Sequence, residues 1–271
     1  MGKIQCVYDR DNNFFFHLMS VAKVGYDNIY GEKHHNSIST EDIAVLKKYE
    51  KELTMKGGEY NGKLFWIGMY AGNPQDAIRK IQSEEGFPGF ESYTDALLDI
   101  FGIFLKYHDD YCERIWPDQE ILLAKTALEW QKNLDEEGLD EKAEKLVGID
   151  SERIFYASLI SSIEHGVEAI LYETEGGNVY DLFSIDRDYN SARAIFLHEY
   201  IITLLEKRIP FSIETYDRYE GLAEYYTEEL IGKTYNFTYQ DKYIEFYRLK
   251  MSEKSYTPDE LFAMAGNLET A

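Results

Sequence analysis

Residues 194–205 read Ala194-Ile-Phe-Leu-His198-Glu199-Tyr-Ile-Ile202-Thr-Leu-Leu205. Apart from His198, Glu199 and Thr203 the stretch is apolar or aromatic, which predicts a helix buried around most of its circumference. Upstream, Asp188, Asn190 and Ser191 supply helix-start chemistry, and downstream Pro210 forbids continuation, so the helix is expected over 187–207. Before it, segments 151–162, 167–174 and 179–185 are rich in β-branched and aromatic residues and are separated by turn residues. They are read as strands of a short antiparallel meander. After it, 217–231 is a second helix closed by Gly232, and two more helices are expected over 239–251 and 258–266.

The His–Glu pair matters because residues four apart share a helix face. In a His-Glu-x-x-His pattern two imidazoles converge on one zinc ion, with the glutamate beside it as general base. Here the position four after His198 is Ile202. The other helical neighbours of His198, namely Ala194, Ile195 and Ile201, are apolar as well, so the face offers no replacement ligand.

The order of a small sheet, a helix with His198-Glu199 and a helix with Glu220-Gly-Leu-Ala-Glu224-Tyr-Tyr resembles the gluzincin branch of the zincin metallopeptidases. The likeness spans about residues 151–232. It implies that His198 matches the first zinc ligand, Glu199 the general base and Glu224 the third ligand. Tyr225 and Tyr226 would stand by the cleft, where a hydroxyl can bond a reaction intermediate. Ile202 stands in place of the second histidine, and two ligands plus water would hold zinc weakly, so no cofactor is expected. Read without the resemblance, His198 is a half-buried histidine bonded to Glu224 or to a carbonyl. Glu199 lies on a cleft rim or pairs with Arg193, and Glu220 and Glu228 belong to a solvated acidic stripe.

The rest of the chain bounds the function. Its 271 residues suffice for one large domain or two modest ones, and 44% hydrophobic against 29% charged residues marks a globular protein. A net charge of −22 opposes non-specific binding to nucleic acid or to anionic lipid, both of which need a basic footprint. Cys6 and Cys112 are too few for a disulfide framework and lack zinc-knuckle spacing. No apolar leader is read at the start, and the apolar runs are too short to span a bilayer, so a cytoplasmic setting is expected. The 23 tyrosines suit groove walls, although a general compositional bias would give the same count.

Residues 1–150 are expected to form a mainly helical region, with residues 151–271 as the zincin-like region. Residues 1–13 read as a polar lead-in, and 14–25 as a buried helix or strand. Helices are expected from Ser39 to about 53 with Thr40 as the cap, from Pro74 to about 85, over 92–115, and from Trp116 to about 135, with a charged surface helix over 135–145. Segment 65–70 is a short apolar piece between turn-rich loops at 56–62 and 86–89. Glu32, His34 and His35 have a spacing seen at carboxylate–histidine metal sites, but they lie in a polar loop. His165 is the histidine nearest the site in sequence, with no spacing that aims it there. The fold class is therefore α+β, predominantly α. The expected function is a metallopeptidase homologue without a working zinc site that binds a peptide or protein. The alternatives are an active metal-dependent hydrolase with an altered site and a helical interaction domain unrelated to zincins.

Overall fold

The structure is a computed structural model that describes residues 2–24, 28–53, 72–83, 91–163, 172–173, 177–233 and 241–268. The expected apolar piece at 65–70, the loops at 56–62 and 86–89, His165 and most of the strand expected over 167–174 lie outside the described residues.

The chain is predominantly helical around one small sheet. Strand β1 (Ile4–Val7) is followed by helices α1 (Arg10–Ala22), α2 (Ile29–His34), α3 (Thr40–Lys48), α4 (Glu50–Leu53), α5 (Pro74–Ile81), α6 (Thr94–Arg114), α7 (Trp116–Glu137) and α8 (Leu139–Val147). Then come strands β2 (Phe155–Ile160), β3 (Tyr172–Glu173) and β4 (Val179–Ser184), and helices α9 (Tyr189–Leu205), α10 (Tyr216–Ile231), α11 (Asp241–Glu253) and α12 (Pro258–Ala265).

The strands lie in the order β1-β2-β4-β3. β1, β2 and β4 run parallel, and only the two-residue β3 is antiparallel, against β4. The expected antiparallel meander is thus corrected to a parallel sheet with an antiparallel edge. The physical reason is burial on both faces. Helices cover the two sides of β2 and β4, and parallel strands are found where both faces are covered. The pleat sorts the residues cleanly. Ile4, Phe155, Ala157, Leu159, Val179 and Phe183 join the core built by α7 to α12, whereas Ile160 and Leu182 join the core built by α1 to α6.

Residues 1–13 are likewise not a loose lead-in. Ile4 pairs in register with Phe155 and Cys6 with Ala157, and Asp9 caps α1 by accepting from the backbone N–H groups of Asp11 and Asn12. The outer edge of β1 is closed by one side chain. Gln131 of α7 accepts from the Cys6 N–H at 2.8 Å and donates to the Ile4 carbonyl at 3.2 Å, so its amide acts as a surrogate strand. Burial, with the charge of Asp135 adding to it, pushes the Cys6 thiol up to about 12.

Helices α6 and α7 meet at Ile115, which has helical dihedrals and belongs to no loop. Pro117 lacks the N–H that would continue the ladder, which accounts for the break. The pair therefore reaches from one helical layer to the other.

The charged helix expected over 135–145 is divided at Gly138, and α8 lies at the surface with Glu141, Lys142 and Lys145 exposed and one face buried. In α8, Asp140 and Glu144 are buried; the Lys3 amine bonds Glu144 at 2.6 Å, and the Lys3 N–H bonds Asp140. These contacts pin the start of β1. Ser39, not Thr40, caps α3 through a bond to the Asp42 N–H, and Tyr49 separates α3 from α4. Gly31 sits where α2 crosses α1, and a Cβ there would collide with the Ser20 carbonyl oxygen.

Candidate functional site

Helix α9 begins where expected. Asp188 caps it by accepting from the N–H groups of Asn190 and Ser191, and residues 194–205 are buried without a break. Helix α10 returns beside it after a short connection. His198 faces Glu224 and Ile202 faces Tyr219, so the indices fall on one helix as they rise on the other, and the two helices pack antiparallel. Gly221 and Ala223, both small, stand on α10 between the residues that touch α9.

His198 is fully buried at this interface. Its Nδ1 lies 3.0 Å from Glu224 Oε2, and its Nε2 lies 2.9 Å from Glu220 Oε2. A neutral imidazole has one N–H, so it cannot donate to both oxygens; an imidazolium can. Burial alone would drive the ring's pKa down, but the hydrogen bonds to Glu220 and Glu224 outweigh it. The charges of Glu199 and Glu220 add to them, and His198 is held up at about 10. The result is a buried imidazolium clamped between two carboxylates.

Glu199 points elsewhere. It is 5% exposed, and no hydrogen bond to it is formed among the described residues. Arg193, one of its two expected settings, instead bonds Glu137 at 2.7 Å. Burial raises the Glu199 carboxyl to about 7; the nearby His198 charge opposes that rise, while Glu220 and Glu206 add to it.

The structure thus brings His198 and Glu224 together and adds Glu220, which sequence reasoning had placed on a solvated stripe. Glu228, from the same stripe, pairs with Arg248 at 2.6 Å. Ile202 is buried beside the site, and its carbonyl accepts from the Tyr219 hydroxyl at 3.1 Å. Tyr225 and Tyr226 do not face His198 from a cleft. Both are buried in the core, with their rings 5.1 Å apart and Tyr225 6.2 Å from Tyr247 of α11. Two open grooves are found elsewhere: one of about 370 Å³ along α7 beside Leu128, and one of about 350 Å³ between α3 and α6.

The donor set does not fit a zinc ion of the kind the resemblance implies. Among the described residues the donor set has one imidazole, both its nitrogens face carboxylates, and the second-histidine position is hydrocarbon. Among the described residues no three His, Cys, Asp or Glu side chains are placed to hold one metal ion. In the loop spacing noted above, Glu32 pairs with Lys23, His35 Nδ1 bonds the Glu32 carbonyl at 2.7 Å, and the His34 ring packs on Tyr30 at 4.5 Å. Among the described residues no helix is long and apolar enough to cross a membrane.

No protein-family model, no curated protein and no solved structure matches the chain.

Proposed function

We propose that this chain is a zincin-like metallopeptidase homologue that works without zinc, as a module that binds a peptide or a protein. The observation that carries the reading is the pairing of His198 with both Glu220 and Glu224. At the place where a metallopeptidase of this frame would hold its cation, the chain holds a protonated imidazole. The positive ring between the two carboxylates offsets part of their charge without a metal, and the antiparallel helix pair is in place. What is lost is the open coordination position on which hydrolysis depends. A frame retained without its chemistry supports binding as the remaining task. Metal content of the protein purified from zinc-supplemented medium tests this: substoichiometric zinc and no chelator-sensitive peptide cleavage are expected. One zinc per chain, lost on His198→Ala, would sink the reading.

A second reading, an active hydrolase with an altered metal site, is favoured by Glu199 alone. A carboxyl held near 7 at the edge of solvent has the proton affinity of a general base. This reading expects chelator-sensitive turnover of some peptide, abolished by Glu199→Gln.

A further inference from the structure

Helix α6 carries a seam on its outer side. Asp95, Leu98, Gly102, Leu105 and Asp109 recur at spacings of three and four residues and so share one face; all are exposed except the half-buried Leu98. Beside the seam runs the groove of about 350 Å³ between α3 and α6, with Val45, Leu98 and Ile103 as its apolar lining. Its walls are tied together. Asp42 of α3 accepts from Lys106 and from the Tyr107 hydroxyl of α6, and that hydroxyl accepts from the Ser39 N–H at 2.9 Å. The groove is therefore preformed, and Lys106 offsets the charge of Asp42 at its side.

Gly102 bears on what the groove is for. Inside an exposed helix a glycine is destabilising relative to alanine. A Cβ at Gly102 would meet nothing within 4 Å among the described residues, and its φ is not left-handed, so neither packing nor backbone conformation there calls for glycine. What a missing side chain provides is close approach from outside.

We infer that this groove seats an amphipathic helix of a protein partner, packed on Leu98, Gly102 and Leu105, with one basic residue over Asp95 and another over Asp109. The inference rests on the peptide- or protein-binding reading and gives it a place and a partner class. Asp95 and Asp109 lie seven residues to either side of Gly102, so the two cations stand about 21 Å apart along the helix axis. The Asp109 side chain is 99% exposed. An apolar centre between two acidic ends fits a helix that is apolar in the middle and basic at its ends. The net charge of −22 steers basic partners toward the chain and opposes a second copy in the same place.

The test uses the full chain and fluorescent alanine-rich helical peptides of about 20 residues. They carry leucine at heptad spacing and either arginine or glutamate near both ends. The arginine peptide is expected to bind at least tenfold more tightly than the glutamate peptide. Gly102→Leu should weaken it about tenfold while raising the urea midpoint of the chain, so that lost binding is not lost folding. Asp95→Asn with Asp109→Asn should weaken it several-fold. Glu136→Gln with Glu141→Gln, at exposed positions on α7 and α8, removes the same charge and should change little. No binding of the arginine peptide, binding unchanged by Gly102→Leu, or equal weakening by the two charge variants would overturn the groove as the docking site; ligands found in a wider peptide array would still uphold the peptide-binding reading. Self-association seen by sedimentation and abolished by Gly102→Leu would put a second copy in the groove and overturn the partner class. No ligand anywhere in the array would remove the peptide-binding reading, and this inference with it.

Discussion

Replacing Glu199 by methionine should make the protein more stable, and the gain should depend on pH. The carboxyl is nearly buried, has no hydrogen bond among the described residues, and is raised from an ordinary 4.5 to about 7, chiefly by burial. A group whose pKa is raised in the fold binds its proton more tightly there than in the unfolded chain. Its contribution is therefore complete below about pH 4.5 and is lost as pH rises through about 7. At ~1.4 kcal/mol per pH unit, that window is worth at most ~3 kcal/mol. Methionine keeps the side-chain length and a good helix propensity, and it removes the ionisation. Urea unfolding in steps from pH 4 to pH 8 should show a small advantage for Glu199→Met at pH 4, growing to about 1–3 kcal/mol by pH 8. The upper limit of pH 8 keeps His198 protonated in the fold. A difference that stays flat across this range, or a variant less stable at pH 8, would mean that the carboxylate is bonded in the fold and that the reasoning is wrong.

Other consequences follow from the buried cluster. Glu224→Ala leaves the imidazolium with one carboxylate and should cost about 3–5 kcal/mol in urea unfolding at pH 7. Glu224→Gln still offers an oxygen to Nδ1–H and should cost about 1–2 kcal/mol; equal losses for the two variants would argue that charge plays no part. The His198 imidazole should show both nitrogens protonated by nitrogen-detected NMR from pH 5 to pH 8, with no titration in between. Because its pKa is raised from 6.5 to about 10, its stabilisation is complete below about 6.5 and lost as pH rises through about 10. Stability should therefore fall on the alkaline side, and His198→Gln should flatten that limb.

Local chemistry was the legible part. Asp188, Asn73 with Pro74, and Gly232 mark helix ends through bonds and dihedrals decided within a few residues. Strand direction was not legible, because it depends on partners far along the chain: Ile4 pairs with Phe155, and nothing near either residue states it. The four residues of β1 were hidden among polar neighbours, although the inward-facing Ile4 and Cys6 alternate with Gln5 and Val7. At the site, the His198–Glu224 contact lay among the readings that the residues allowed. Glu220 did not, because glutamates at four-residue spacing look the same on a solvated face and on one turned toward a buried cation. The usable signal was next to it: Gly221 and Ala223 are small residues between the glutamates, and both are buried. Tyr225 and Tyr226 were drawn toward the cleft by the resemblance, whereas large aromatics after a small-residue pair are equally suited to core packing.

The frame itself can be tested by restoring what it lacks. Ile202→His places an imidazole four residues after His198, on a face already turned toward α10. Zinc affinity should rise over wild type, measured by competition with a chromogenic chelator. The rise should be modest, because any metal must first displace the proton that His198 shares with Glu220 and Glu224, and that proton is held at about 10. Removing one of the two acceptors should therefore help. Ile202→His with Glu220→Ala lowers the proton's hold on His198 while leaving Glu224 in place, and it should bind zinc more tightly than Ile202→His alone. If the double variant folds, as judged by circular dichroism, and binds no better than wild type, then α9 and α10 do not carry the ligand geometry of a metallopeptidase. The imidazolium cluster would then be a packing device of an unrelated helical protein. If the order of affinities is as expected, the proton on His198 is what stands in the metal's place, and the two carboxylates are the reason it stays there.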